Sequence, residues 1–310
     1  MIRDFDPRDA EAVSAALHEE DPPIPVTQAG VLHWLTAQPA RAHPRMWVDE
    51  EDRRIVGWAE ASIRWSTSVP DVGDLWAYVV PSQRSRGRGA ALYAETESYL
   101  QSLGARVLES WTYTDPGRRL LESRGFRATG HERISALDLA NADTSALPQL
   151  EERLAAEGFR LVPLGEVIDR VEELHRLYAE ASVDIPEYFK EDDVRLEEWR
   201  VETLGHPQLS QEGSFIALAP DGVPAALAFL ELDEPASIAA NEMTGSLVAY
   251  RRRGLARLVK LASIRWAKEQ GYERILTGNA ETNEGMIGLN VSLGYEPIDR
   301  ETHYVREELS

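Results

Sequence analysis

Two short stretches of this sequence carry arginines and glycines at a spacing that can grip an anion. The first is Arg84-Ser85-Arg86-Gly87-Arg88-Gly89-Ala90, between an apolar run over 76–80 and a helical pattern over 91–103. The second is Arg251-Arg252-Arg253-Gly254-Leu255-Ala256, ahead of apolar residues at 258, 259, 262 and 266. Each reads as strand, basic turn, helix. A helix start leaves backbone N–H groups unpaired and carries the positive end of the helix dipole, which suits a phosphate. A Cβ at Gly87 or Gly254 would crowd such a group. Neither stretch is a Walker A loop or a dinucleotide fingerprint, because no Gly-Lys-Ser/Thr follows and the glycine spacing differs. From the turns alone, a solvated arginine cluster is an equal reading.

Other chemistry is thinly represented. The chain has no cysteine, which excludes disulfides, thiolate metal ligands and a thiol nucleophile. Its seven histidines are scattered, with no pair at i, i+4, so no metal site is expected. No Ser-His-Asp arrangement has supporting local sequence. Trp34, Trp47, Trp58, Trp65 and Trp76 concentrate in the first half and are expected in the core rather than around a ligand.

The elements that must position the turns occur twice. Arg84 and Arg251 are 167 residues apart, as are Gly104 and Gly271, and Gly125-Phe126 recurs as Gly294-Tyr295 at a spacing of 169. Two copies of one unit are therefore expected, too few for a solenoid. The reading places a first domain at 1–140, a linker and connecting helix at 141–157, and a second domain at 158–310. Strands are expected at 2–5, 45–48, 55–63, 75–80, 106–112 and 133–139, and helices at 10–17, 29–37 and 91–103, with Pro22, Pro23 and Pro25 breaking the chain between the first two helices. The second half restarts with a strand at 159–162, a helix at 167–181 and a helix at 197–204.

With the repeat in view, Arg84-x-x-Gly87-x-Gly89 and Arg251-x-x-Gly254-x-Ala256 resemble the acetyl-CoA signature of the GNAT N-acetyltransferase superfamily. The segments ahead of them, Val79-Val80-Pro81 and Thr244-Gly245-Ser246-Leu247, are similar to the family's central strand. Asn283-x-x-Met286-x-x-x-Asn290, ahead of Gly294-Tyr295, resembles the helix downstream. The resemblance covers both halves. It implies an α/β fold of two tandem GNAT-like domains, each a mixed, mostly antiparallel sheet flanked by helices, with central strands that splay around acetyl-CoA as co-substrate.

On that resemblance the pyrophosphate meets N–H groups of 86–90 (Arg86, Gly87, Arg88, Gly89, Ala90) or 253–258 (Arg253, Gly254, Leu255, Ala256 and onward). The pantetheine arm pairs with backbone around Val79-Val80 or Ser246-Leu247. An amine attacks the thioester directly, with no covalent enzyme intermediate. Glu242 and Asp74, nine and ten residues before the turns, stand where the family places a base; Glu60 and Glu231 are further candidates. The slot for the usual tyrosine acid holds Asn290 in the second half and Leu121 in the first, which leaves Tyr304 and Tyr295 as substitutes, Tyr295 rather as core. Asn290 and Asn283 are also candidate contacts to the cofactor arm. His303 is expected at an exposed strand end. These differences point to an active site in the second half. The alternative is a non-catalytic CoA-binding or regulatory module whose acid and base groups have been lost.

The net charge of −20 opposes a general nucleic-acid role and suits a cationic substrate, though an acidic surface also serves solubility. No run of about 18 apolar residues is present, and the first residues carry no secretory signal. A cytoplasmic monomer or homodimer acting on a small-molecule amine, without membrane or nucleic-acid partners, is the expectation.

Overall fold

The computed structural model describes residues 1–19 and 24–307, so Pro22 and Pro23 lie outside the described residues. The first half supplies β1 (Ile2–Asp4), β2 (Arg45–Glu51), β3 (Arg54–Ile63), β4 (Val72–Val79), β5 (Val107–Thr112) and β6 (Arg127–Asp138). The second supplies β7 (Arg160–Pro163), β8 (Phe215–Leu218), β9 (Pro224–Asp233), β10 (Ile238–Ser246), β11 (Arg274–Ala280) and β12 (Glu296–Glu307). The helices are α1 (Ala10–His18), α2 (Gln28–Thr36), α3 (Arg88–Ser102), α4 (Asp115–Ser123), α5 (Leu147–Ala156), α6 (Val171–Ser182), α7 (Leu196–Trp199), α8 (Leu255–Glu269) and α9 (Glu284–Ser292). The helix expected over 197–204 is four residues of α7 followed by a wider π turn at Arg200–Leu204.

The strands form one twelve-stranded sheet, ordered β1-β2-β3-β4-β5-β12-β6-β11-β10-β9-β8-β7. Among the described residues, only β4–β5 and β10–β11 pair parallel. The strand expected over 133–139 does form, but β6 pairs with β11, while β12 pairs with β5. Each half thus gives its last strand to the other, and β6 and β12 also pair together at the centre.

Helices cover both faces, and the period-two alternation of the strands decides which side chain meets which layer. On β9, Ala226, Ala228 and Leu230 pack with α8, while Leu227 and Phe229 pack with α6 and α7. On β3, Ala59 and Ala61 meet α3, and Val56 and Trp58 meet α1 and α2. A strand covered on both sides reads as a continuous apolar run, as Pro224–Leu230 does. Fully burying a side chain such as Phe229 contributes about 1.5–3 kcal/mol. That packing makes a stiff platform for the two places where the sheet opens.

Candidate active site

The sheet opens at its two parallel pairs. β4 and β5 stay paired only from Val72↔Val107 to Asp74↔Glu109, and β10 and β11 only from Ile238↔Arg274 to Ala240↔Leu276. Beyond these points the strands diverge, and each upstream strand runs into its basic turn. The two turns repeat bond for bond. Arg84 Nε donates to the Val79 carbonyl and Arg251 Nε to that of Ser246. The N–H groups of Val80 and Leu247 donate back to the carbonyls of Val56 and Ala225. Ser85 and Arg252 take φ of 61° and 62°, and Gly87 and Gly254 take 83° and 91°. That left-handed pair curls successive N–H groups toward one point. Neither α3 nor α8 has a side-chain cap at its start, so their first N–H groups stay open to an anion.

The two turns differ in surroundings. A Cβ built on Gly87 meets nothing within 4 Å, and beside it lies a cleft of about 330 Å³ bounded by Val79, Gly89, Trp111 and Thr114. A Cβ on Gly254 would stand 3.2 Å from an Arg153 Nη, contributed by the connecting helix α5. Arg153 donates to the Arg253 carbonyl at 2.7 Å, so a further guanidinium flanks the second turn. Both turns fit a pyrophosphate in shape and sign.

The forks also differ. β4 pairs continuously with β3 through Asp74↔Ser62. β10 slips by one residue against β9, from Asn241↔Leu230 to Met243↔Phe229, so Glu242 is the bulged residue. A bulge bends the strand and re-aims its side chain. Around this fork the Tyr295 hydroxyl donates to Asn241 Oδ1 at 2.6 Å, and Asn290 Nδ2 donates to Asn279 Oδ1 at 2.6 Å. Asn241 Nδ2, Thr244 Oγ1 and Asn290 Oδ1 are buried without a hydrogen-bond partner among the described residues. Lys260, on α8, is 1% exposed, and its Nζ lies 4.9 Å from the centre of the Tyr295 ring. Burial lowers its pKa to about 7.

Both upstream strands face one space. Asp74 from β4 and Glu242 from β10 line a single cavity of about 320 Å³, together with Glu60, Arg64, Tyr178 and Trp199. A second cavity of about 420 Å³ shares Trp34, Tyr178, Glu191 and Glu242 with it and reaches Asn241, Lys260 and Asn279. Desolvation, reinforced by neighbouring carboxylates, raises the pKa of Glu242 well above the ordinary value. Desolvation first, then Asp74, lifts Glu60 to about 8; desolvation first, then Glu109, lifts Asp74 to about 7. Glu231 reaches about 7 through burial and then Glu202.

Several residues singled out in the sequence sit elsewhere. Arg88 is held by Asp49 and Glu51, away from the turn's mouth, and Arg251 by Asp184. Arg86 donates to Gln83. The side chains of Val80, Leu247 and Leu255 are core, so only their backbone can serve a ligand. Asn283 is the N-cap of α9, accepting from the Met286 N–H, as Thr114 caps α4 in the first half. Tyr304 is not near the second fork: β12 crosses to β5, and the ring lies in the first half's core with its hydroxyl donating to Glu122. For the same reason His303 is not an exposed strand-end residue. It is 3% exposed, with Nε2 3.0 Å from Glu109 and Nδ1 2.6 Å from Thr129 Oγ1. Trp65 lines the cavity, and Trp34 lines it with one side while packing against core Trp58 with the other.

Lys260, Arg153, Trp199 and Asn241 were absent from the sequence reading, and Asn279 entered it only within Thr277-Gly278-Asn279, which resembles the family's next strand. One signal was available: Lys260 interrupts the run Leu258-Val259-Lys260-Leu261-Ala262-Ser263-Ile264, which is apolar around the whole helix and so must be buried. Among the described residues, no group of His, Asp and Glu is placed to hold a metal, and no helix is long and apolar enough to cross a membrane.

Comparison with known proteins agrees with this geometry. The chain is 28% identical over 315 residues to the mycothiol acetyltransferase of Thermobifida fusca (strain YX), covering 96% of this chain and 91% of that one. Among solved structures, a tandem GNAT protein from the clavulanic acid biosynthesis pathway, without AcCoA, superposes with a TM-score of 0.73 at 20% identity, covering 99% of this chain and 98% of the other. A GCN5-related N-acetyltransferase from Sphaerobacter thermophilus gives 0.68 at 17% identity, covering 99% and 95%. These two likenesses establish the fold. A sequence model of the acetyltransferase (GNAT) family matches residues 12–126 and again 168–295, most of the chain in two copies, and the chain belongs to that family.

Proposed function

We propose that this N-acetyltransferase moves the acetyl group of acetyl-CoA to the amine of a small molecule by direct attack, at the β10–β11 fork of the second half. The observation that carries the reading is the bulge at Glu242, which turns a carboxylate into the cavity at the mouth of the fork. Acetyl-CoA supplies an activated acyl carbon that an amine lone pair attacks without an enzyme-bound intermediate.

The chain's own groups supply the rest. The uncapped N–H groups at the start of α8, with Arg153 beside them, hold the pyrophosphate. Glu242 accepts the proton that an ammonium must lose before its nitrogen can attack. A carboxylate with a raised pKa suits that work near neutral pH. The leaving sulfur needs a proton, and Asn290, which occupies the usual tyrosine slot, has none to give. Lys260 is the ionisable donor at this fork, and its pKa of about 7 suits the task. Asn290 and Asn241 hold the walls of the fork.

The first half supports binding without turnover. Its cleft beside Gly87 is open, but Leu121 stands where Asn290 stands, and the position of Lys260 is taken by Tyr93, whose hydroxyl accepts from Arg306. A thermal-shift titration with acetyl-CoA, CoA and ATP, followed by thiol release over an amine panel, tests the reading. Acetyl-CoA and CoA should raise the melting temperature, and thiol should appear only with an amine present. Equal stabilisation by ATP, or none by acetyl-CoA, would overturn it.

A further inference from the structure

The cavity between the halves holds far more acidic than basic groups. Glu60, Asp74, Glu191, Glu202, Glu231 and Glu242 border its two lobes, and Glu132, Glu187 and Glu301 also line the second. The cations there are few. Arg64 is tied to Glu109 at 2.8 Å and lies 3.6 Å from Glu187, and Lys260 faces Tyr295 across the second lobe. His33 and His206 meet edge to face at 4.6 Å; His206 also lies 3.2 Å from Glu231 and is kept neutral at physiological pH, with its pKa lowered to about 4 by burial. The carboxylates feel one another: Glu202 and Glu191 raise Glu242, and Asp74 raises Glu60. Ionising all of them together is unfavourable, and without a cation the cavity relieves it by taking up protons.

A second observation marks the space as built for a ligand. Asn241 is 5% exposed and lines the second lobe, yet its Nδ2 has no hydrogen-bond partner among the described residues. Trp199, 1% exposed and lining the first lobe, leaves its indole N–H unpartnered in the same way. Buried donors in a native fold are almost always paired, so these await an acceptor that the chain does not supply, such as a ligand hydroxyl or carbonyl, and they do not contact its ammonium groups. Trp34, Tyr178 and Trp199 give the lobes aromatic walls, a surface that attracts cations.

We infer that the acceptor is a small molecule carrying at least two ammonium groups, one held against Glu242 at the fork and the others against the carboxylates of the first lobe. This rests on the proposed acetyl transfer and names its substrate class. The distal ammonium groups neutralise Glu60, Asp74, Glu191 and Glu202, while the amine at Glu242 loses its proton and becomes the nucleophile. A monoamine of the same length would leave the first lobe unneutralised.

The test uses the full-length protein with spermidine, 1,3-diaminopropane and n-propylamine. Two measurements are made: kcat/KM for thiol release with saturating acetyl-CoA, and the melting temperature without acetyl-CoA at pH 8. Spermidine and 1,3-diaminopropane should exceed n-propylamine by at least about tenfold in kcat/KM and should alone raise the melting temperature. Glu191→Gln and Glu202→Gln should each remove most of that preference; since each also lowers the pKa of Glu242, the quantity read is the ratio of diamine to n-propylamine kcat/KM within each variant. Both replacements relieve repulsion, so the variants should melt no lower than the parent at pH 8, which separates loss of recognition from loss of fold. Equal kcat/KM for all three amines, or a preference intact in both variants, would overturn the inference. Failure of acetyl-CoA to bind would instead count against the proposed reaction.

Discussion

Glu242 faces the cavity because β10 carries one residue more than its partner strand at that point, and Lys260 faces the fork because α8 is buried on all sides there. Their roles predict opposite limbs of a pH profile. Glu242 must be ionised to accept a proton, so kcat/KM should rise with pH through its elevated pKa. Lys260 must be protonated to donate one, so kcat/KM should fall again above about 7. Glu242→Gln should lower kcat about 10²–10⁴-fold. Lys260→Met should lower it less and abolish the alkaline limb, while binding of acetyl-CoA measured by thermal shift persists. An alkaline limb that survives in Lys260→Met would remove this lysine from the mechanism. The glycines of the turns were legible in the sequence because their demand is local: a positive φ and space for an anion. Glu242's orientation was not, since a bulge is a relation between two strands. Asn241, Asn279 and Lys260 meet only after three elements converge, and single residues give no hint of that.

At the level of the element, the strand–turn–helix unit is one design used twice with different neighbours. Its backbone was readable from spacing alone: left-handed glycines recur at 87 and 254, at 104 and 271, and at 125 and 294. What surrounds each copy was not readable. α5 comes from the connection between the halves and lays Arg153 against the second turn only. Valine imposes the same backbone strain on both turns, because a β-branched residue at φ near 83° or 91° is an outlier, and at 254 the flexible end of Arg153 must also shift. The two substitutions should therefore lower the melting temperature by similar amounts. Gly254→Val should also abolish most acetyl-CoA-dependent thiol release, whereas Gly87→Val should leave the greater part of turnover and remove only binding to the first cleft. Gly254→Asn, which tolerates a left-handed backbone yet fills the cradle, should lose turnover with less loss of stability. Equal loss of turnover from Gly87→Val and Gly254→Val would place chemistry in both forks.

Across the whole molecule, the exchange of β6 and β12 makes one sheet of two repeats and closes the acidic cavity between them. The duplication was visible in the sequence, and the exchange was not: a strand's pattern states how it is buried, not which edge it joins. Tyr304 and His303 were misplaced for that reason alone. The shared cavity has a consequence for stability that reaches beyond any one residue. Burial lifts Glu60 to about 8 and Asp74, Glu187, Glu231 and Glu301 to about 7, and also raises Glu132; Glu191 and Glu242, which keep solvent exposure at the cavity mouth, shift in the same direction beside neighbouring carboxylates. In the unfolded chain these groups titrate near 4. Between about 4.5 and 7–8 the folded state therefore holds more protons than the unfolded one, and stability falls as pH rises. His206, lowered to about 4, works the other way between about 4 and 6.5, and Lys260, lowered to about 7, works the other way above 7. One imidazole against several carboxyls does not reverse the slope in the lower window, so the fall should lie between about pH 5 and 7.5. Below about 4 the paired carboxylates whose pKa is depressed, such as Asp9 and Asp49, become protonated and stability drops again. Melting curves in a constant-ionic-strength buffer series should peak near pH 5 and be clearly lower at pH 8. A diamine bound in the cavity should narrow that gap by keeping the carboxylates ionised at less cost. A melting temperature that rises steadily from pH 5 to pH 8 would mean that the carboxylates are neutralised by some other means.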